Sequence, residues 1–225
     1  MAEPVEMNIS QALNKNFDPT CIRRVEVDLT SVHGNHPNQP SLAFVLENVF
    51  SDEECSKLIA LSEAAGYSTA LIHSGDEAIA APGYRDGDRV MIDDKEFVRI
   101  LESRIKSFLP QKFENRRFLE INERLRFLRY SAGGQFKPHS DASYVRPDYT
   151  ARTLITLQIY LNEGFDGGET TFMDYEEVVR VPVIPKTGMI LVFEHDLYHE
   201  GSLVRSGFKY TIRTDVLYNF LSRSL

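Results

Sequence analysis

His139-Ser140-Asp141 follows a turn-forming stretch, Gly133-Gly134 and then Pro138, and its spacing has a chemical meaning. In extended backbone, residues two apart point to one face about 6.5–7 Å apart at Cα, close enough for an imidazole and a carboxylate to converge on one ion. Alone the signal is weak. Six His and 14 Asp in 225 residues give about 0.4 such pairs by accident, and a surface His beside a solvated Asp is the ordinary outcome. His199, 58 residues beyond Asp141, strengthens the case. Two imidazoles and one carboxylate on strands are the ligand set of a ferrous centre with three open positions, and equally of a catalytic zinc site.

Lys209, ten residues after His199, favours iron. Its strand carries Thr211, Arg213 and Asp215 on the same side, and a cation facing a barrel interior is costly unless it meets an anion. A dicarboxylate cosubstrate chelating the metal through one end supplies that anion at its other end. Zinc hydrolysis needs no such anchor. Arg213 shares the facing of Lys209 and is the alternative anchor, or else a structural partner of Asp215 or Glu169. His195, four residues before His199, competes with it as the second imidazole. Arg85, Arg89 and Arg152 read as solvated loop or strand-edge charges, and His33, His36 and His73 as surface residues.

The elements that must position these groups change character along the chain. Residues 1–40 are polar and end in a run of turn formers, so they form a lead-in segment to a domain over 41–225. Leu42–Leu46 reads as a strand, and Ser51-Asp52-Glu53-Glu54 is a capping box opening a helix through about Ala65, closed by Gly66. A second helix runs from near Asp94 to Leu109, since Phe97, Leu101, Ile105 and Phe108 recur at helical spacing before Pro110. Ser74–Asp88 between them reads as a long mobile loop. After Leu119 come short β-branched and aromatic runs separated by Gly and Pro: Leu125–Tyr130, Thr153–Leu161, Glu177–Val181, Met189–Phe193 and Phe208–Tyr218. This is mainly β texture with flanking helices, a sandwich or jelly roll.

These motifs resemble a family. Arg129 through Asp141 (Arg-Tyr-Ser-Ala-Gly-Gly-Gln-Phe-Lys-Pro-His-Ser-Asp), Tyr160-Leu161-Asn162 with Gly167-Gly168-Glu169-Thr170-Thr171-Phe172, Pro185-Lys186-Thr187-Gly188, His199, and Gly207-Phe208-Lys209-Tyr210 are similar to the prolyl 4-hydroxylase-type Fe(II)/2-oxoglutarate-dependent dioxygenases. The likeness covers about residues 125–218. It implies a double-stranded β-helix, a distorted jelly roll, with Fe(II) held by His139, Asp141 and His199. It implies that Lys209 grips the distal carboxylate of 2-oxoglutarate, with Tyr130 and Thr170 hydrogen-bonding the same end. O₂ is the further cosubstrate, with ascorbate as an optional addition. The implied reaction hydroxylates an unactivated C–H bond, with peptidyl proline as substrate and a free amino acid or small metabolite as the alternative. Loops Ser74–Asp88 and Ser143–Thr150 would line the mouth, where Tyr144 and Tyr149 could stack on a proline ring. A zinc hydrolase and a non-catalytic binding barrel are the readings from other classes.

Composition narrows the partners. Lys and Arg number 25 against 33 Asp and Glu, and the net charge of −8 repels phosphate backbones, so nucleic acid and anionic membrane are not expected. Two cysteines, Cys21 and Cys55, give no disulfide framework. With no basic leader at the start and no apolar span of about 18–20 residues, a cytoplasmic or nuclear setting is expected.

Overall fold

The computed structural model describes residues 4, 7–33, 41–74 and 77–220. Its main sheet is antiparallel and runs in the spatial order Arg23–Glu26, Ala43–Glu47, Ile190–Glu194, Ala151–Tyr160, Lys209–Asn219, Arg124–Tyr130, Asp88–Asp93 and Ser68–Thr69. A second sheet holds Arg180–Val183, Thr170–Met173, His199–Gly201, Gln135–His139 and Arg85–Asp86. The two stack as a jelly roll.

Alternation along the central strands decides what each face touches. Phe44, Leu46, Leu157, Ile159, Ile190, Val192, Ile212 and Val216 point to the helices and join the large core. Ala43, Val45, Tyr160, Leu191 and Phe193 point the other way and pack against Phe172 and Val183 of the second sheet. On Lys209–Asn219 the helix-facing set is mainly apolar, with Thr214 bonded to the Asn122 carbonyl, whereas the odd-numbered residues Lys209, Thr211, Arg213 and Asp215 turn polar groups inward between the sheets. That departure from a dry sandwich marks the site.

Helix Asp52–Ala65 opens with the expected capping box: the Glu54 amide donates to Ser51 Oγ at 3.2 Å and the Ser51 amide to Glu54 Oε2 at 2.9 Å. The second helix spans Lys95–Ile105, capped by Asp94, and yields to a 3₁₀ turn at Lys106–Phe108 rather than continuing to Leu109. The residue before a proline cannot easily stay helical, and here the tightening begins a turn earlier.

Three further expectations need correction. The N-terminal segment contributes regular structure, since Arg23–Glu26 pairs with Ala43–Glu47 and Thr30–His33 forms a helical turn. Ile9, Ala12 and Leu13 are buried in the large core, and the carbonyl of Asn14 receives Arg104 Nη2 at 2.8 Å. Ser74–Asp88 is not one loop: Ile72–Ser74 and Glu77–Ile79 form a hairpin, Arg85–Asp86 edges the second sheet, and Gly75 and Asp76 lie outside the described residues. The strand expected at Glu177–Val181 starts later, at Arg180–Val183, because Glu177 takes a turn conformation with φ 59°. His36 and the side chains of His33 and His73 also fall outside the description.

Candidate metal centre

Gln135–His139 pairs with His199–Gly201, and His139 and His199 are direct partners across that ladder, so the two imidazoles share one face with ring centroids 4.5 Å apart. Asp141 lies just past the first strand, its amide donating to the His195 carbonyl at 2.8 Å. Ligand atoms of His139, Asp141 and His199 all fall within 4.8 Å of one another.

The imidazole tautomers follow from their partners. His139 Nδ1 lies 2.7 Å from the Lys137 carbonyl and His199 Nδ1 lies 2.8 Å from the Leu197 carbonyl. A carbonyl only accepts, so both Nδ1 atoms carry hydrogen and both Nε2 atoms keep a lone pair for the interior. Burial lowers both imidazole pKa values, that of His139 to about 3, which leaves the rings neutral. Burial alone would raise the Asp141 carboxyl, but the Arg213 guanidinium beside it holds it well below the usual range. Two neutral imidazole lone pairs and one ionised carboxylate are the donor chemistry that a divalent transition-metal ion requires, so the residues fit such an ion.

Both oxygens of Asp141 are engaged. Thr156 Oγ1 donates to Oδ2 at 2.6 Å, and Arg213 Nη1 lies 3.0 Å from Oδ1. The other terminal nitrogen of Arg213 reaches Asp215 Oδ1 at 3.1 Å, and Asp215 Oδ2 accepts from Arg126 at 2.8 Å. His195 is not part of the donor cluster: its Nε2 is 3.4 Å from Asp215. Thr156 escaped sequence reasoning, whereas the pairing of Arg213 with Asp215 is one of the alternatives the sequence offered. Inward-facing polar residues on otherwise apolar strands were the available signal.

Lys209 is 4% exposed, its ammonium donating to the Gly168 carbonyl at 2.6 Å. No carboxylate forms an ion pair with it among the described residues, and burial pulls its pKa down to about 8. The Tyr130 and Tyr160 rings lie 5.6 Å from the ammonium, and the Tyr160 hydroxyl donates to Thr170 Oγ1 at 2.7 Å. Gly168 sits at φ +68°, and a Cβ there would press on Phe165, Val204 and the Lys209 stem at 3.0–3.2 Å. Gly168 therefore serves close packing around the lysine.

One cavity joins His139, Asp141, His199, Lys209, Tyr130, Thr170 and Arg213. Its wall also includes Arg85, which corrects the solvated reading of that residue. The Arg85 guanidinium lies over Phe136 at 4.5 Å, and its buried Nε has no partner. Phe136 in turn stacks on His139 with centroids 3.6 Å apart. Tyr144 and Tyr149, by contrast, are 45% and 69% exposed and do not line the cavity.

Residues 125–214 match the 2OG-Fe(II) oxygenase superfamily. Prolyl 4-hydroxylase 5 of Arabidopsis thaliana is 27% identical over 136 residues, 58% of this chain and 44% of that protein. Probable prolyl 4-hydroxylase 8 of the same plant is 28% identical over 136 residues, again 44% of its length. The chain thus spans less than half the length of these relatives. Among solved structures, the viral collagen prolyl hydroxylase of Paramecium Bursaria Chlorella virus-1, in its 2OG complex, superposes with a TM-score of 0.57 at 23% identity, covering 81% of this chain and 99% of that one. The Trichoplax adhaerens prolyl hydroxylase bound to a hypoxia inducible factor peptide gives 0.60 at 18% identity, covering 85% and 89%. These structures share the fold. No helix among the described residues is long and apolar enough to cross a membrane.

Proposed function

We propose that this chain, whose residues 125–214 match the 2OG-Fe(II) oxygenase superfamily, is a member of it, an Fe(II)- and 2-oxoglutarate-dependent hydroxylase acting on peptidyl proline. The observation that carries the reading is the opening of the three metal donors and an ion-unpaired buried lysine into one cavity. Bound Fe(II), with 2-oxoglutarate and O₂, would supply the oxidation of an unactivated C–H bond.

The protein residues then have distinct tasks. His139 and His199 present Nε2 lone pairs while their Nδ1–H groups are pinned to backbone carbonyls, which fixes ring orientation before the ion arrives. Asp141 contributes the anionic donor. Lys209 meets the far carboxylate of 2-oxoglutarate, and the orphaned ammonium charge gains its counter-ion only when that cosubstrate binds. Tyr130 and Thr170 offer hydroxyls beside it. Arg213, already shared by two carboxylates, is poorly placed to serve as the distal anchor. Phe136 and Phe193 shield the imidazoles from bulk water. Fe(II) is preferred to zinc because a dicarboxylate explains Lys209, and hydrolysis does not.

The choice of peptidyl proline rests on the likeness to prolyl 4-hydroxylases. A second reading, a small acidic metabolite, is favoured by Arg85, whose unpartnered donor in the cavity wall suits a carboxylate or carbonyl oxygen. The deciding experiment measures succinate release and a 16 Da product gain across proline-containing peptides, free amino acids and small acids. Release that depends on 2-oxoglutarate and stops with its non-reactive amide analogue supports the enzyme class. Turnover with a small molecule, and with no proline peptide, would replace the substrate. Full activity without 2-oxoglutarate would overturn the class.

A further inference from the structure

Arg213 poses a problem for the metal centre proposed above. Its guanidinium is 3.0 Å from Asp141 Oδ1, so a fixed cation competes with a divalent ion for the electrons of the only anionic donor. A guanidinium grips a carboxylate best as a fork, with two nitrogens on two oxygens. Closed in that way on Asp141, Arg213 would occupy the carboxylate that the metal needs.

Asp215 prevents the closure. It lies two residues beyond Arg213 on the same strand face, is 2% exposed, and accepts Arg213 Nη2 at 3.1 Å. Arg126 Nη1 at 2.8 Å fixes its second oxygen, and His195 Nε2 stands 3.4 Å from the first. The guanidinium is therefore stretched between two carboxylates, with one arm on each.

We propose that Asp215 is a positioning residue of the metal centre: by holding one arm of Arg213 it keeps the guanidinium from forking onto Asp141 and leaves that carboxylate available to the ion. Asp215 touches neither metal nor substrate in this arrangement and acts through Arg213 alone. The inference rests on the metal-centre reading and goes beyond it.

The test is Mn(II) binding to the purified full chain, measured by the loss of the free-ion magnetic resonance signal, with circular dichroism as the control for folding. Asp215→Asn keeps the shape and removes the charge. It should weaken Mn(II) binding at least about tenfold, the range typical of groups that orient metal ligands. In an Arg213→Met background the same substitution should cost less than about threefold, because the arm it restrained is gone. Arg213→Met alone should bind Mn(II) at least as tightly as the wild type, which keeps the idea testable should Asp215→Asn fail to fold. Unchanged binding in a folded Asp215→Asn, an equal loss in both backgrounds, or weakened binding in Arg213→Met would each overturn the proposal. Wild-type protein that takes up no Mn(II) would instead overturn the metal centre itself, and this inference with it.

Discussion

The hydroxyl of Thr156 donates to Asp141 Oδ2 at 2.6 Å from the strand that crosses beneath the metal donors. A buried, charge-assisted bond of this length sets the rotation of the carboxylate. Thr156 is fully buried and has a near-isosteric apolar substitute.

Thr156→Val should therefore fold, yet hold Mn(II) about tenfold more weakly, since loss of a ligand-orienting partner costs roughly 10–100-fold in metal affinity. Titration of the variant against the wild type checks this. Equal affinities would mean that Asp141 is oriented by Arg213 alone.

Lys209→Ala should raise the Michaelis constant for 2-oxoglutarate at least about tenfold with Mn(II) binding kept, because truncating one member of a buried charge pair costs roughly 2–5 kcal/mol. The pH dependence has a definite sign. Burial lowers the Lys209 pKa to about 8, and only the protonated form attracts a dicarboxylate. Affinity for 2-oxoglutarate should be full below that value and fall as pH rises through it, and this dependence should vanish in Lys209→Ala. A flat profile in the wild type would argue that the anchor lies elsewhere.

Gly168→Ala tests the same anchor without touching its charge. The added methyl would meet the Lys209 stem at 3.2 Å and Val204 at 3.1 Å in a backbone conformation that disfavours side chains. The expected result is a several-fold rise in the 2-oxoglutarate Michaelis constant, smaller than that of Lys209→Ala, with metal affinity unchanged.

The tie between the N-terminal segment and the helices has a stability signature. Arg104 and Glu54 are 2% and 4% exposed at their side chains and meet at 2.6 Å, while the Asn14 amide donates to the same carboxylate, also at 2.6 Å. Glu54→Ala strands a buried guanidinium and should cost about 3–5 kcal/mol in urea unfolding. A loss under 1 kcal/mol would show that the Val49 and Asn14 carbonyls hold Arg104 without its counter-ion.

What could be read from sequence was local or periodic. Ser51 with Glu54 and Phe97 with Leu101 and Ile105 announce their helices because capping and helical spacing involve neighbours. His139 and Asp141 announce a metal site because they sit two apart. His199 and Lys209 became specific through the family likeness, since nothing local says which strand lies opposite. Thr156 and the buried position of Arg85 stayed hidden because their meaning depends on which strands face one another across the cavity, whereas the Arg213–Asp215 pair, two residues apart on one strand, was among the readings. Residues 1–40 looked loose for a related reason: their partners Glu54 and Arg104 are 40 and 90 residues from Asn14.

The strand Lys209–Asn219 lies between Ala151–Tyr160 and Arg124–Tyr130, and it alone joins those two strands into one sheet. During synthesis His139, Asp141 and His199, the proposed metal donors, leave the ribosome before that strand does. Until residue 219 has emerged, the main sheet is split, and before Lys209 emerges the proposed far-end anchor is missing. Long-range strand pairing of this kind is slow, because distant segments must be ordered before their contacts repay the cost. Assembly of the cavity that the proposed metal donors share with Lys209 is thereby deferred to the close of folding.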